Sequence, residues 1–162
     1  MIPENVRREL EKQGLAALEF EEGSTPTAET AAARIGVATG QIAKSLLFRG
    51  KSGRFYLAVC PGDRRVSSSK MKRLAGEKVS MATAEETEAA VGYRPGGVCP
   101  FCIPEAIAIF LDSGLAGYGT VYPAAGTDAS GVPMTYGKLL EITRGTPADL
   151  VADEEEKQRS NS

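Results

Sequence analysis

The sequence predicts an α+β fold, a single compact domain in which helices flank a mixed, barrel-like sheet. Short strand patterns and short amphipathic helix patterns follow one another along the chain. A length of 162 residues provides one well-buried core and is too short for two ordinary domains. Because no repeat or linker divides the body, we predict one domain over residues 1–147 and a disordered acidic tail over residues 148–162.

The helices are predicted from capping residues, from apolar spacing and from the glycines that end them. Pro3 stands at a first helical position, Thr27 precedes an alanine-rich segment, and Thr83 with Glu86 forms a capping box. The predicted helices cover residues 3–13, 28–35, 40–44, 67–74, 84–91 and 137–142.

The strands are predicted from short apolar runs that turn residues separate. Residues 50–53 indicate a hairpin turn after the first run, and residues 61–63 end the second run. Residues 92–104 form a loop rich in glycine and proline. The predicted strands cover residues 45–49, 55–60, 79–81, 106–111, 120–122 and 132–135.

The composition is typical of a soluble globular protein, with 42% hydrophobic and 25% charged residues. No apolar run approaches the ~20 residues that a membrane span requires. The first residues lack the charged and apolar regions of a signal peptide, and three cysteines are too few for a secreted disulfide framework. We therefore expect a cytoplasmic protein without a membrane partner.

The absence of histidine from the sequence limits the chemistry. Without imidazole there is no Ser-His-Asp or Cys-His nucleophilic system and no HExxH zinc site. A catalytic role must then fall to carboxylates, lysine, cysteine, backbone groups or the substrate itself.

Basic residues are concentrated between residues 44 and 78. Ten lysines and arginines lie there, and only Asp63 and Glu77 oppose them. Such a charge favours a polyanion such as RNA, because phosphate neutralisation releases counterions. A solvated basic surface without a ligand explains the same composition equally well.

The least ordinary local sequence is the glycine-proline loop at residues 92–101, GYRPGGVCPF. Its paired glycines allow the backbone to approach a ligand closely and to present N–H groups to an oxyanion. The alternative is a plain surface turn, for which glycine and proline are equally suitable.

Several further motifs accompany this loop in a defined order: TAE at 27–29, IAKSLL at 42–47, PGD at 61–63, a lysine-bearing helix around Lys70, LD at 111–112, TVY at 120–122, AAG at 124–126 and a closing segment at 134–143. In order and spacing they resemble the YbaK/EbsC family, over about residues 24–144. That family includes the editing domain of bacterial prolyl-tRNA synthetases and its free-standing relatives.

The resemblance implies an aminoacyl-tRNA deacylase that acts in trans on mischarged tRNA, typically tRNA(Pro) carrying alanine or cysteine. It implies no cofactor or metal, and prolyl-tRNA synthetase is an expected partner. The family's essential lysine and GxxxP loop give the implied catalytic residues: Lys44, Gly96, Gly97, Val98, Cys99 and Pro100. The implied substrate-binding residues are Thr27, Lys70, Phe101, Asp112, Ala125 and Gly126.

The predicted chemistry relies on positioning, because aminoacyl esters are already reactive. Lys44 would hold a phosphate or carbonyl oxygen, and loop N–H groups would stabilise the tetrahedral oxyanion. The attacking group is either water or a group of the substrate. A lysine at the edge of an apolar strand is otherwise a common surface residue.

Other interpretations stay open at this level. Asp112 either orients the substrate amine or caps the turn at residues 113–114. The CxxC of Cys99 and Cys102 would suit a thiol oxidoreductase, although a redox CxxC normally opens a helix early in its domain. A third interpretation is a non-catalytic module of the same fold that binds tRNA or a synthetase.

Overall fold

The computed structural model describes residues 2–153. Its helices are α1 (Glu4–Lys12), α2 (Ala28–Ile35), α3 (Ser68–Ala75), α4 (Ala84–Val91) and α5 (Tyr136–Thr143). Its strands are β1 (Leu18–Glu19), β2 (Ile42–Gly50), β3 (Phe55–Pro61), β4 (Val79–Met81), β5 (Ala108–Asp112), β6 (Tyr122–Pro123), β7 (Ser130–Gly131) and β8 (Thr146–Ala148). Two 3-10 helices, Thr39–Gln41 and Ser113–Gly117, precede β2 and follow β5.

Side-chain hydroxyls begin most of these helices. In each case the oxygen accepts a hydrogen bond from the backbone N–H three residues later, which satisfies a group that the helix leaves unpaired. The residues that do so are Thr27, Ser67, Thr83 and Thr135. Glycines in the left-handed conformation end α2, α3 and α4.

The main sheet is mixed, as predicted. Its order is β4–β2–β3–β5–β8, and β6 pairs with β2 on the same side as β4. The β2–β3 and β2–β4 pairs are antiparallel, whereas β2–β6, β3–β5 and β5–β8 are parallel. Strands β1 and β7 form a separate antiparallel pair. Within residues 2–153 no ladder joins β8 to β4 or β6.

The two faces of the main sheet carry different packing, because side chains alternate along a strand. One face joins α1, α4 and α5 in the larger core, which includes Val6, Leu10, Ala43, Leu47, Leu57, Val59, Val91, Leu111 and Leu139. The other face packs against α3 in a smaller cluster, which includes Leu46, Phe48, Tyr56, Ala58, Met71, Ala75, Val79 and Leu150.

The helix predicted over residues 40–44 is wrong. Only Thr39–Gln41 forms a short 3-10 turn, and Ile42 already begins β2. A segment of five residues is too short to hold an isolated helix, whereas pairing with β3 over residues 43–49 satisfies its backbone groups. Lys44 therefore belongs to a strand.

The strand predicted over residues 132–135 is reduced to one bridge between Met134 and Val121. Pro133 has no N–H to donate and interrupts a ladder. The strand in this part of the chain is β7, which ends just before the predicted range and pairs with β1. Strand β1 was not predicted, because two residues show no alternation.

The folded part of the chain continues beyond the predicted boundary at residue 147. Strand β8 spans Thr146–Ala148, and Leu150 is fully buried in the smaller cluster. The rest of the predicted tail, residues 154–162, lies outside the described residues. None of the helices within residues 2–153 has both the length and the apolar character of a membrane-spanning segment.

Candidate active site

A cavity of about 190 Å³ lies at an open edge of β2. The ladder to β6 ends at Ala43, and the ladder to β4 begins at Phe48. Between these points β2 has no strand partner on this side among residues 2–153, and its residues 44–46 line the cavity. The start of α2, the glycine-proline loop and the loop at residues 124–131 form the other walls.

Lys44 is the cation of this cavity. Its side chain is half-buried and makes no hydrogen bond or ion pair with any residue between 2 and 153. Its neighbour across the β2–β3 ladder is Cys60. Burial raises the pKa of the Cys60 thiol to about 12, against the opposing effect of the Lys44 charge. The Lys44 ammonium is therefore available to a ligand, and Cys60 stays a neutral thiol.

The glycine-proline loop presents backbone donors to the same cavity. Gly96 has a φ of 91°, and the N–H of Gly97 closes the turn on the Arg94 carbonyl at 2.9 Å. Gly96 and Val98 line the cavity, and their N–H groups donate to no other group in the described part of the chain. The cavity that Lys44 lines is thus bordered by two residues whose N–H groups have no acceptor among the described residues, and an oxyanion site needs such donors.

Close backbone contact with the second loop holds this loop in place. A Cβ placed on Gly97 would lie 3.0 Å from both the Gly126 carbonyl oxygen and the Thr127 Cα. Gly126 has a φ of 91°, and a Cβ placed on it would lie 2.8 Å from the Pro3 ring and 3.1 Å from the Tyr93 ring. Ala125 is fully buried, and its N–H donates to the Ser130 hydroxyl at 3.0 Å. Gly97, Ala125 and Gly126 therefore shape the cavity from behind its surface.

The N-terminus of α2 adds to the positive potential of the cavity. Thr27 lines it, and the Thr27 hydroxyl accepts from the Thr30 N–H at 3.2 Å. The hydroxyl therefore caps the helix, and the helix end places its positive potential beside the cavity.

Asp128 and Ser45 are among the cavity residues that the sequence analysis did not name as site residues. Asp128 is exposed beside Gly96, and its backbone carbonyl accepts from the buried Thr25 hydroxyl at 2.7 Å. The Ser45 hydroxyl oxygen is buried without a hydrogen-bond partner among the described residues. No local pattern marks either residue, because each lies at the site only through contacts between distant segments.

Pro100 and Phe101 are not brought to the Lys44 cavity. Both line a separate groove with Cys102, Ile142 and Arg144. Phe101 is only 1% exposed, and its carbonyl accepts from the Tyr93 hydroxyl at 2.5 Å. These residues anchor the end of the glycine-proline loop.

Asp112 and Lys70 are also placed away from the cavity. The two carboxylate oxygens of Asp112 accept from the N–H groups of Gly114 (2.9 Å) and Leu150 (2.8 Å), so the capping interpretation describes this residue. The Lys70 ammonium forms an ion pair with Asp149 at 3.0 Å and donates to the Val151 carbonyl at 2.7 Å. Both residues fasten the C-terminal segment.

The CxxC cysteines lack the environment of a reactive thiol pair. Cys99 is fully buried, and burial raises the pKa of its thiol to about 12. Burial also raises the pKa of the exposed Cys102. A nucleophilic or redox cysteine needs the opposite shift, toward thiolate. Residues 2–153 also contain no group of three or more His, Cys, Asp or Glu residues that could hold a metal.

The family model of the aminoacyl-tRNA editing domain matches residues 22–142. The chain belongs to this family. The resemblance derived from the sequence is therefore confirmed, and so is the enzyme class, a hydrolase that cleaves the aminoacyl-tRNA ester. The matched range contains every residue that lines the Lys44 cavity.

Relatives of this editing domain include free-standing proteins. The chain is 38% identical over 122 residues to the uncharacterized protein YwhH of Bacillus subtilis, and the alignment covers 75% of this chain and 78% of YwhH. It is 26% identical over 129 residues to EbsC of Enterococcus faecalis, whose name describes a candidate Cys-tRNA(Pro)/Cys-tRNA(Cys) deacylase, with 79% of each chain covered.

Part of the editing domain also matches a larger enzyme. The proline–tRNA ligase of Bacillus licheniformis is 37% identical over 98 residues, which cover 58% of this chain and 17% of the ligase. Among solved structures, a candidate trans-editing enzyme for prolyl tRNA synthetase superimposes with a TM-score of 0.85 and 35% identity, covering 94% of this chain and all of that chain (100%). The predicted fold class is confirmed by this match.

Proposed function

We propose that this editing domain acts in trans on tRNA(Pro) mischarged with cysteine or alanine, in the cytoplasm and alongside prolyl-tRNA synthetase. The observation that carries the proposal is the convergence of Lys44 with the free N–H groups of Gly96 and Val98 on one small cavity. The names of EbsC and of the trans-editing enzyme support the choice of tRNA(Pro).

The size of the cavity favours a small aminoacyl group. Its volume of about 190 Å³ lies below the roughly 300–1,000 Å³ of sites that enclose drug-sized ligands. Apolar side chains of Ala31, Ile35 and Val98 line part of it. We therefore expect the aminoacyl group to enter the cavity, while most of the tRNA stays outside.

The chemistry follows from charges that are fixed before the substrate arrives. The Lys44 ammonium and the N-terminus of α2 attract a phosphate or carbonyl oxygen. The Gly96 and Val98 N–H groups stabilise the negative charge that develops when the ester carbonyl becomes tetrahedral. The attacking group is water or a group of the substrate, because no side chain in the cavity is an activated nucleophile.

Asp128 supplies the opposite charge at the rim of the cavity. An aminoacyl ester carries an α-ammonium group next to its carbonyl, and a carboxylate beside Gly96 can pair with it. The Asp128 carboxylate would thereby orient the ester between Lys44 and the loop.

The test is hydrolysis of tRNA(Pro) charged separately with cysteine, alanine, serine and proline. We expect loss of the cysteinyl or alanyl ester and preservation of the prolyl ester. If every non-cognate ester survives, a non-catalytic module that binds tRNA or a synthetase becomes the better description.

Replacement of Lys44 tests the site itself. We expect Lys44→Ala to reduce kcat/KM by roughly 10²-fold or more, as loss of a group that stabilises an oxyanion does. Lys12→Ala, at an exposed position of α1, is the matched control and should keep full activity. Equal activity of the two variants would remove Lys44 from the mechanism.

A further inference from the structure

The basic residues between positions 44 and 78 divide into two groups in the structure. One group is engaged within the protein: Arg49 pairs with Glu86, Lys70 with Asp149, and Arg64 donates to the Ala152 carbonyl. Arg65 also has a partner, and Arg54 acts on the Tyr56 hydroxyl. These side chains already have partners within the protein, so they are less free to contact a polyanion than unpaired ones.

The second group consists of the basic residues, other than Lys44, whose side chains have no partner among the described residues. The side chains of Lys51, Lys72, Arg73 and Lys78 are exposed and make no hydrogen bond or ion pair with the residues that the structure describes. They lie on the β2–β3 turn, on the last turn of α3 and just before β4. The Lys51 N–H donates to the Lys78 carbonyl at 3.0 Å, which joins two of these segments.

Helix α3, which carries Lys72 and Arg73, and the β4 residues Val79 and Met81 lie on the same sheet face as Lys44, while Lys51 and Lys78 lie at the neighbouring ends of β2 and β4. Side chains alternate along β2, so Lys44 lies on the face of Leu46 and Phe48, which pack in the cluster with α3. Strand β4 pairs with β2 on the side where the cavity opens. The cavity, β4 and the end of α3 therefore follow one another on one side of the molecule.

The path from the cavity to the basic residues runs along β2. Leu46 lines the cavity, Met81 lies opposite Phe48, and Val79 lies opposite Gly50. The six residue steps from Lys44 to Gly50 correspond to about 20 Å at ~3.3 Å per residue. A short single-stranded RNA end can span this distance between a phosphate-binding surface and the cavity.

Exposed apolar side chains accompany the free charges. The exposed large hydrophobic residues of the described chain are Leu18, Leu74 and Met81, and the latter two lie on α3 and β4. Met81 is 55% exposed and sits between the cavity and Lys78. Glu77, the acid between α3 and β4, accepts from the Ser52 N–H (2.6 Å) and from the Tyr56 hydroxyl (2.6 Å), which turns its carboxylate into the hairpin.

We propose that this α3–β4 surface, formed by Lys51, Lys72, Arg73, Leu74, Lys78 and Met81, binds the acceptor end of the tRNA whose aminoacyl group enters the Lys44 cavity. The four cations contact phosphates, and Met81 contacts an unpaired base next to the terminal adenosine. The inference rests on the proposed function for the identity of the RNA. Its support is charge complementarity and continuity with the cavity.

The experiment compares two triple variants with equal loss of charge. Lys72→Ala/Arg73→Ala/Lys78→Ala alters the α3–β4 surface. Arg8→Ala/Lys12→Ala/Lys138→Ala alters α1 and α5, which pack on the opposite face of the sheet. Both are measured for binding of uncharged tRNA across a salt series and for kcat/KM on aminoacyl-tRNA and on the corresponding aminoacyl-adenosine ester.

For the surface variant we expect kcat/KM on aminoacyl-tRNA to fall on the order of tenfold, with the aminoacyl-adenosine ester unaffected. The slope of log Kd for uncharged tRNA against log salt should fall by roughly two to three, because three phosphate contacts are lost. The control variant should match the parent protein.

Equal effects of the two triple variants would overturn the proposal, and so would weakened binding to prolyl-tRNA synthetase with unchanged tRNA binding. The binding series uses uncharged tRNA and therefore tests the surface separately. A parent protein that hydrolyses no ester contradicts the proposed function, whereas an unchanged salt slope contradicts this inference.

Discussion

At the scale of single residues, the decisive feature is a set of polar groups without internal partners around one cavity. The Lys44 ammonium, the Ser45 hydroxyl and the N–H groups of Gly96 and Val98 find no acceptor or donor among the described residues. Buried polar groups are normally paired, because leaving one unpaired costs about 1–3 kcal/mol. Val98 and the Ser45 hydroxyl are buried, whereas Lys44 is half-buried and Gly96 is exposed, so water can bind the latter two until a ligand replaces it.

Asp128 should affect only substrates with a charged α-amine. We expect Asp128→Asn to raise KM for aminoacyl-tRNA by up to about fivefold, since an exposed ion pair contributes ~1 kcal/mol at most. With N-acetylated aminoacyl-tRNA, which has no such charge, the variant and the parent should react equally. A similar loss with both substrates would assign Asp128 to loop structure instead of amine binding.

The cysteines should differ in their reactivity toward iodoacetamide. Below its pKa a thiol is mainly protonated and reacts slowly, and burial raises the pKa of Cys60 and of Cys99 to about 12. At pH 8 we therefore expect modification of Cys102 alone, and of all three cysteines after denaturation, as counted by mass spectrometry. Rapid modification of Cys99 in the folded protein would revive the thiol oxidoreductase interpretation.

At the scale of elements, the site depends on two loops that touch through their backbones. The glycine-proline loop is closed by the Tyr93 hydroxyl at one end, and its middle packs on residues 126–127. The second loop is held by Ser130 and by the Thr25 hydroxyl. The positions of the Gly96 and Val98 N–H groups are thus fixed by contacts that involve no catalytic side chain.

Gly97→Ala should disturb this contact, because the added Cβ would lie 3.0 Å from backbone atoms of residues 126–127, which would have to shift by a few tenths of an ångström. We expect a loss of roughly 1–3 kcal/mol in the free energy of unfolding, together with reduced kcat. Gly119→Ala is the control, since a Cβ placed on Gly119 would meet nothing within 4 Å. Urea denaturation and the deacylation assay measure the two effects, and a Gly97→Ala protein that behaves like Gly119→Ala would show that the loops can separate without cost.

At the scale of the whole molecule, the C-terminal segment closes the α3 face of the sheet. Leu150 enters the cluster of Phe48, Tyr56 and Met71, and its N–H binds Asp112. Lys70 and Arg64 reach the same segment through Asp149 and Ala152. Two of the ten basic residues between positions 44 and 78 are therefore engaged by the C-terminal segment.

Leu150→Ala should therefore be costly although it lies beyond the predicted domain boundary. Removal of a fully buried leucine lowers the free energy of unfolding by about 2–5 kcal/mol. Leu18→Ala, at a position 39% exposed, should change it by about 0.5 kcal/mol or less. Chemical denaturation of both variants checks the difference, and equal stability would mean that the segment contributes little to the domain.

The sequence by itself determined most helices, the central hairpin, the missing imidazole chemistry and the order of motifs that placed the chain in its family. These features depend on residues within a few positions of one another, such as Thr83 with Glu86. Only the tertiary structure decided that Lys44 lies in a strand, that Asp128 and Ser45 join it, and that Asp112 and Lys70 serve the C-terminal segment instead. The tertiary structure also decided which lysines and arginines have no internal partner. Ion pairs join residues that are far apart in sequence, so no local pattern shows which acid a given base will contact.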